Sequence, residues 1–120
     1  MYPIVRLYSD EHGDSHFEDL AIPLQDAGGI GMLSEKIPVD SIIFREVAPG
    51  YDYDFHTAPQ RQYIILINGV IEIETSLGVK RIFKGGDILL LEDVTGKGHR
   101  TRNLEAVERR SVFVTLKNGL

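Results

Sequence analysis

The sequence predicts an all-β domain, on three observations. Short apolar or alternating runs recur along the chain, and Gly, Pro, Asp and Asn separate them, which is the punctuation of a strand-rich protein. Two hairpin turns are legible: Asn68-Gly69, of the type that fits right-handed strand twist, and Ser76-Leu77-Gly78, where Gly78 can take a positive φ. Helix signals are poor. The one candidate, residues 32–36, is stopped by Pro38 and is too short to hold without tertiary packing.

In chain order, strands are expected at 4–7, 16–22, 41–47, 61–67, 70–75, 80–83, 87–91, 99–103 and 109–116. Most are rich in Ile, Val, Phe or Tyr, whose branched or flat side chains suit a pleated surface. In the run 70–75, Glu72 and Glu74 alternate with Ile71 and Ile73, so one face is dry and the other wet, as in the wall of a sandwich or barrel. In 99–103, Arg100 and Arg102 alternate with His99 and Thr101, so an inward His99 sends both arginines outward. Consecutive hairpins make the expected sheet antiparallel.

At 120 residues, with 42% hydrophobic and 26% charged residues, the chain is expected to be a single domain, 1–120, with one core. A net charge of −5 disfavours nucleic acid and anionic membranes as partners, because both bind through local excesses of Lys and Arg. With no cysteine, a disulfide framework, a thiolate metal site and a Cys nucleophile are all excluded, so any metal must be held by N and O ligands. No basic stretch followed by an apolar run opens the chain, and no run approaches a membrane span, so a cytoplasmic protein is expected.

From Gly50 the sequence reads Gly50-Tyr-Asp-Tyr-Asp-Phe-His56-Thr-Ala58-Pro-Gln-Arg-Gln62, reaching Gly69 after six more residues. This resembles the first motif of the cupin superfamily, with Gly50, His56 and Gly69 in place, Ala58 at the second His position and Gln62 at the Glu position. The second motif is resembled by Gly86, Gly96, His99 and Asn103, with Val94 at its Pro position and two extra residues after Gly86. Motif 1 thus spans 50–69 and motif 2 spans 86–103. The resemblance implies a cupin-type jelly-roll barrel, or double-stranded β-helix, of antiparallel strands around a ligand pocket. It also implies pairing into a homodimer through strands near the N-terminus, at 4–22. The superfamily hosts dioxygenases, isomerases, decarboxylases, sugar binders, storage proteins and sensors, so the fold alone names no activity.

Cupins hold a divalent metal through two histidines and a glutamate of the first motif and a histidine of the second. Residue by residue, His56 and His99 carry over, and Gln62 can ligate only through a neutral carbonyl oxygen. The ion implied is Fe, Mn, Zn or Ni. His16 and Asp52 are further candidate ligands. Asp52 and Asp54 share the strand face of His56, while Glu18, Glu92 and Asp93 are other acids within the same strands or just after them. Asp54 is equally suited to accept the free ring N–H of His56 and fix its tautomer. Tyr51, Asp54, Gln60, Gln62, Tyr63, Thr101 and Asn103 are the candidate pocket residues for a small-molecule ligand, and Tyr53 joins the tyrosines suited to stacking.

Two glycine-rich stretches carry no phosphate chemistry. Thr95-Gly-Lys-Gly98 lacks the upstream Gly and following Ser or Thr of a phosphate loop, and Ala27-Gly-Gly-Ile-Gly31 lacks the context of a dinucleotide site. Two functional readings compete: a metal-site cupin with coordination positions open to a small oxygen-bearing ligand, and a non-enzymatic binding or sensor module whose altered metal set has become a polar pocket.

Overall fold

In the computed structural model, which describes residues 1–117, ten main strands form two facing sheets, and a short hairpin lies outside them. The strands are β1 (Tyr2–Ser9), β2 (Ser15–Ile22), β3 (Gln25–Asp26), β4 (Met32–Leu33), β5 (Ser41–Val47), β6 (Asp52–His56), β7 (Gln62–Leu66), β8 (Val70–Thr75), β9 (Lys80–Lys84), β10 (Ile88–Glu92), β11 (His99–Asn103) and β12 (Arg109–Thr115). One sheet has the order β2-β1-β10-β7-β12-β5, the other β6-β11-β8-β9, and β3 pairs only with β4. The expected strands are all present, with ends shifted by one or two residues.

Three expectations change. Asn68-Gly69 is not a hairpin turn, because the strands it joins, β7 and β8, lie in different sheets, and the chain crosses there from the larger sheet to the smaller. The sheet is not wholly antiparallel: β1 runs parallel to β10, with Val5 opposite Leu89 and Leu7 opposite Leu91. The helix expected at 32–36 is absent. Met32–Leu33 is instead a rung of the β3/β4 hairpin, and apolar side chains of this segment, Met32, Leu33, Ile37 and Val39, lie over the outer face of the larger sheet. A five-residue segment has too few backbone bonds to repay helix nucleation, and pairing of Met32 and Leu33 with β3 forms instead.

The core lies between the sheets. Leu66, Leu89 and Leu91 of the larger sheet meet Ile71, Ile73 and Phe83 of the smaller, all buried. Glu72 and Glu74 point away, so the dry and wet faces of β8 are as the alternation implies. β10 reads Ile-Leu-Leu-Leu-Glu without alternation because both its faces are covered: Leu89 and Leu91 enter the main core, and Leu90 packs with Ile4 and Leu116 on the other side. No helix among the described residues is long and apolar enough to cross a membrane.

Candidate functional site

Between the sheets is a cavity of about 470 Å³. Its first polar wall comes from the smaller sheet, where His56 on β6 and His99 on β11 stand directly opposite each other in the antiparallel ladder. Cross-strand neighbours of this kind bring side chains into contact, and the two rings lie 4.6 Å apart between centroids. Close backbone approach holds them there. Gly98 has φ of +73°, and a Cβ on it would fall 2.0 Å from the carbonyl oxygen of His56. Only glycine therefore lets the strand carrying His99 lie so near the one carrying His56.

Each imidazole is engaged on one side only. His56 Nδ1 donates to the carbonyl oxygen of Asp54 at 2.8 Å. His99 Nδ1 meets Asp93 Oδ2 at 2.5 Å, with Asp93 fully buried behind it. A carbonyl and a carboxylate only accept, so both rings carry a proton on Nδ1, and a ring in its neutral form has its lone pair on Nε2. Neither Nε2 has a hydrogen-bond partner among the described residues. Burial pushes the His56 pKa below its ordinary value, and the neighbouring His99 and Arg45 push the same way, opposed by the Asp54 hydrogen bond and the charge of Asp93. A neutral imidazole is the form that offers its lone pair to a ligand or metal.

The second polar wall comes from the larger sheet. Arg109 on β12 is 2% exposed and Arg45 on β5 is half-buried, and both line the cavity. Arg109 Nε donates to Asn103 Oδ1 at 2.9 Å, and the guanidinium groups of Arg45 and Arg109 lie 4.9 and 5.5 Å from the ring centre of Tyr51. The floor is apolar, from Ile64, Leu66, Leu89 and Phe113 among others. At the mouth, the half-exposed Tyr53 leans on His56 at 3.9 Å between ring centres.

Of the candidate residues, the cavity wall includes Tyr51, Tyr53, His56, Gln62, His99 and Thr101. The others lie elsewhere. Asp52 and Asp54 are exposed, because β6 carries one extra residue against β11: His56 pairs with His99, but Tyr53 with Thr101. This bulge breaks the alternation that placed both acids on the face of His56. Asp52 instead pairs with Arg100 at 3.1 Å, and Asp54 reaches His56 through its backbone carbonyl, not its carboxylate. Tyr63 lies on the outer face of β7, beside the segment that carries Met32 and Ile37. Alternation holds in β7 and separates Tyr63 from Gln62. Gln60 Nε2 reaches the carbonyl of Leu116 at 3.5 Å, outside the cavity.

His16 is tied to Asp10 at 2.7 Å beside the β1–β2 turn. Asn103 does not line the cavity; its amide bridges Arg109 to the carbonyls of Ala48 and Pro49. Glu18 pairs with Arg6, and Glu92 with Arg6 and Arg61. Arg102 faces outward to Glu72, and Lys97 is a turn residue paired with Asp14. Sequence reading missed Arg45 and Arg109. In β12 both faces carry apolar residues, Phe113 inward and Val114 outward, so no hydrophobic alternation marks the side to which Arg109 belongs.

No family model matches the sequence, and no curated protein sequence matches it. Solved structures do. A cupin domain from Bordetella pertussis Tohama I is 18% identical, with a TM-score of 0.50, over 70% of this chain and 99% of its own. The cupin domain of Cnp3 from Schizosaccharomyces pombe is 13% identical, with a TM-score of 0.51, over 96% of this chain and 85% of its own. The chain has the cupin fold. At these identities the likeness extends to architecture alone. Within this fold, the donors that line the cavity and could reach a divalent ion are the two imidazoles and the carbonyl oxygen of the buried Gln62. Among the described residues, no three His, Cys, Asp or Glu side chains converge as an ion-holding group. At the position of the second motif histidine, the Ala58 methyl is buried in the main core. Two imidazoles and a neutral amide carbonyl bring no negative charge to offset that of a divalent ion.

Proposed function

We propose that this chain is a small-molecule-binding cupin, whose organic ligand enters the cavity between the sheets and is met by the imidazole pair of His56 and His99. The observation that carries the reading is the matched engagement of the two rings: each Nδ1 is spent on an acceptor behind it, and each Nε2 is left without a partner among the described residues, in rings that line one cavity. In this arrangement Asp93 and the Asp54 carbonyl orient the rings, Tyr53 screens the mouth, and the apolar floor excludes water from the ligand.

The same Nε2 atoms, with the Gln62 carbonyl oxygen, are the atoms that would hold Fe, Mn, Zn or Ni. Such an ion, when bound, would polarise a ligand oxygen as a Lewis acid. The test is calorimetric titration of the untagged full chain with Ni²⁺ and Zn²⁺, beside Gln62→Glu. Restoring a carboxylate to a convergent donor set is expected to tighten binding by about tenfold or more. Equal affinities for the two proteins would mean that position 62 and the imidazoles do not converge on an ion.

A second reading, a binding or sensor module without a metal, is favoured by the burial of Ala58 in the apolar core and the neutrality of Gln62. Under that reading Gln62→Glu leaves metal affinity unchanged, and a chelator leaves ligand binding untouched.

A further inference from the structure

The walls of the cavity carry cations and no acid. Arg45 and Arg109 line it together with the two imidazoles, and no Asp or Glu does. Arg109 is 2% exposed, and its one side-chain hydrogen bond is to a neutral amide, so its terminal nitrogens have no acceptor among the described residues. Arg45 has no ion pair there either; its guanidinium rests on the rings of Tyr51 and Phe113. A buried, unpaired guanidinium is costly, and removal from water beside a second cation makes it more so. Both effects lower the Arg109 pKa, with burial the larger.

Register places a further group between them. Arg45 stands opposite Ser111, and Arg109 opposite Val47, in the β5–β12 ladder. Arg45 and Arg109 are therefore diagonal neighbours on one face, with Ser111 between them in the same inward row as Phe113. The Ser111 hydroxyl is buried behind the cavity wall and does not line it. Two guanidinium groups without carboxylates on one patch of sheet make a pair of donors lacking an acceptor. A planar carboxylate accepts from two such groups at once and matches the guanidinium fork.

We infer that the ligand of this cavity is an organic carboxylate, its negative head held by Arg45 and Arg109 and its apolar body against Ile64, Leu66 and Phe113. This rests on the reading that the cavity takes a small organic molecule, and it names the chemical class of that molecule. The Asn103 amide is a positioning group here. It fixes Arg109 Nε from behind without neutralising the charge, leaving the outer nitrogens for the ligand.

The experiment is titration calorimetry on the untagged full chain at constant ionic strength, with hexanoate and benzoate as probes and hexanamide and benzamide as their uncharged counterparts. Each acid is expected to bind at least about tenfold more tightly than its amide. Arg45→Gln is expected to lower the ratio by at least about threefold, and because acid and amide are compared on the same protein a general loss of affinity cancels. Arg109→Gln is expected to do the same if circular dichroism shows it folded. Acid and amide binding equally, or a ratio that Arg45→Gln leaves intact, would overturn the carboxylate assignment while the binding cavity stands. Absence of any binding by acids and amides alike up to about 10 mM would remove the cavity reading and the assignment with it.

Discussion

The two polar walls of the cavity are built by the same device and finished in opposite ways. Each is a pair of side chains on adjacent antiparallel strands: His56 and His99 across β6 and β11, Arg45 and Arg109 across β5 and β12. Behind the imidazoles stand a buried carboxylate and a backbone carbonyl, so the chain itself fixes each ring through Nδ1, although Asp93 Oδ1 has no partner among the described residues. Behind the guanidinium groups stand a neutral amide and an aromatic ring, so that wall has charge to spare. A site whose side chains are fixed from behind on one side and left with unpaired charge on the other has a direction: the folded chain sets how the first wall is presented, and the second has donors to offer.

The largest effect on this contrast should come from Gly98→Ala. The residue combines a positive φ with contact to the backbone of His56, at 2.0 Å for a Cβ, so neither rotation nor a flexible neighbour can relieve it. A loss of more than about 4 kcal/mol, or failure to fold, is expected in urea denaturation. If the variant folds with unchanged midpoint and an intact pair of imidazole signals, the strand contact does not hold the histidine wall together.

Asp93→Ala should follow. It removes the acceptor of His99 Nδ1 in a place closed to water, at an expected cost of about 2–3 kcal/mol. It also frees the ring to change tautomer, which ¹⁵N shifts of the imidazole report directly. A proton that stays on Nδ1 in the variant would show that something other than Asp93 selects the tautomer, and the histidine wall would be less fixed than its geometry implies.

The fold was legible because local chemistry and global architecture agree. Glu72 and Glu74 mark the wet face of β8, and Ser76-Leu77-Gly78 makes the hairpin that pairs it with β9, whatever the rest of the chain does. The positions of His56 and His99 came from motif spacing, and spacing survives changes in the residues around it. Contacts that depend on a single extra residue were not legible. The bulge in β6 sends Asp52 and Asp54 outward and brings Tyr53 in, and nothing in the composition of 52–56 announces it. The inward arginines were hidden for a different reason. A charged residue in a strand is normally assigned to water, and Arg109 is buried although its charge lacks a carboxylate partner.

The smallest effect expected is a dependence of stability on pH, and it sharpens the contrast because the two walls titrate differently. In the folded chain His56 has a pKa below its ordinary value of 6.5, chiefly through burial. The unfolded chain therefore binds the proton first as pH falls, and stability declines with acidification from about pH 6.5 down to the folded pKa, below which this contribution is flat. The groups acting on the ring are His99, Asp93, Arg45 and the Asp54 carbonyl. Depressed acids such as Asp10, Asp14 and Glu92 have ordinary values of 3.8 to 4.5, so their own losses begin only at lower pH. Thermal midpoints of the wild type and His56→Gln, compared between about pH 7.5 and 5, isolate the effect: the wild type should fall and the variant should stay nearly level. Saturation with a carboxylate beside Arg45 would oppose the cationic push on His56, raise its pKa toward the ordinary value and flatten the wild-type curve. A curve with the same slope with and without such a ligand would separate the two walls electrostatically, and each would then act on its own part of what binds.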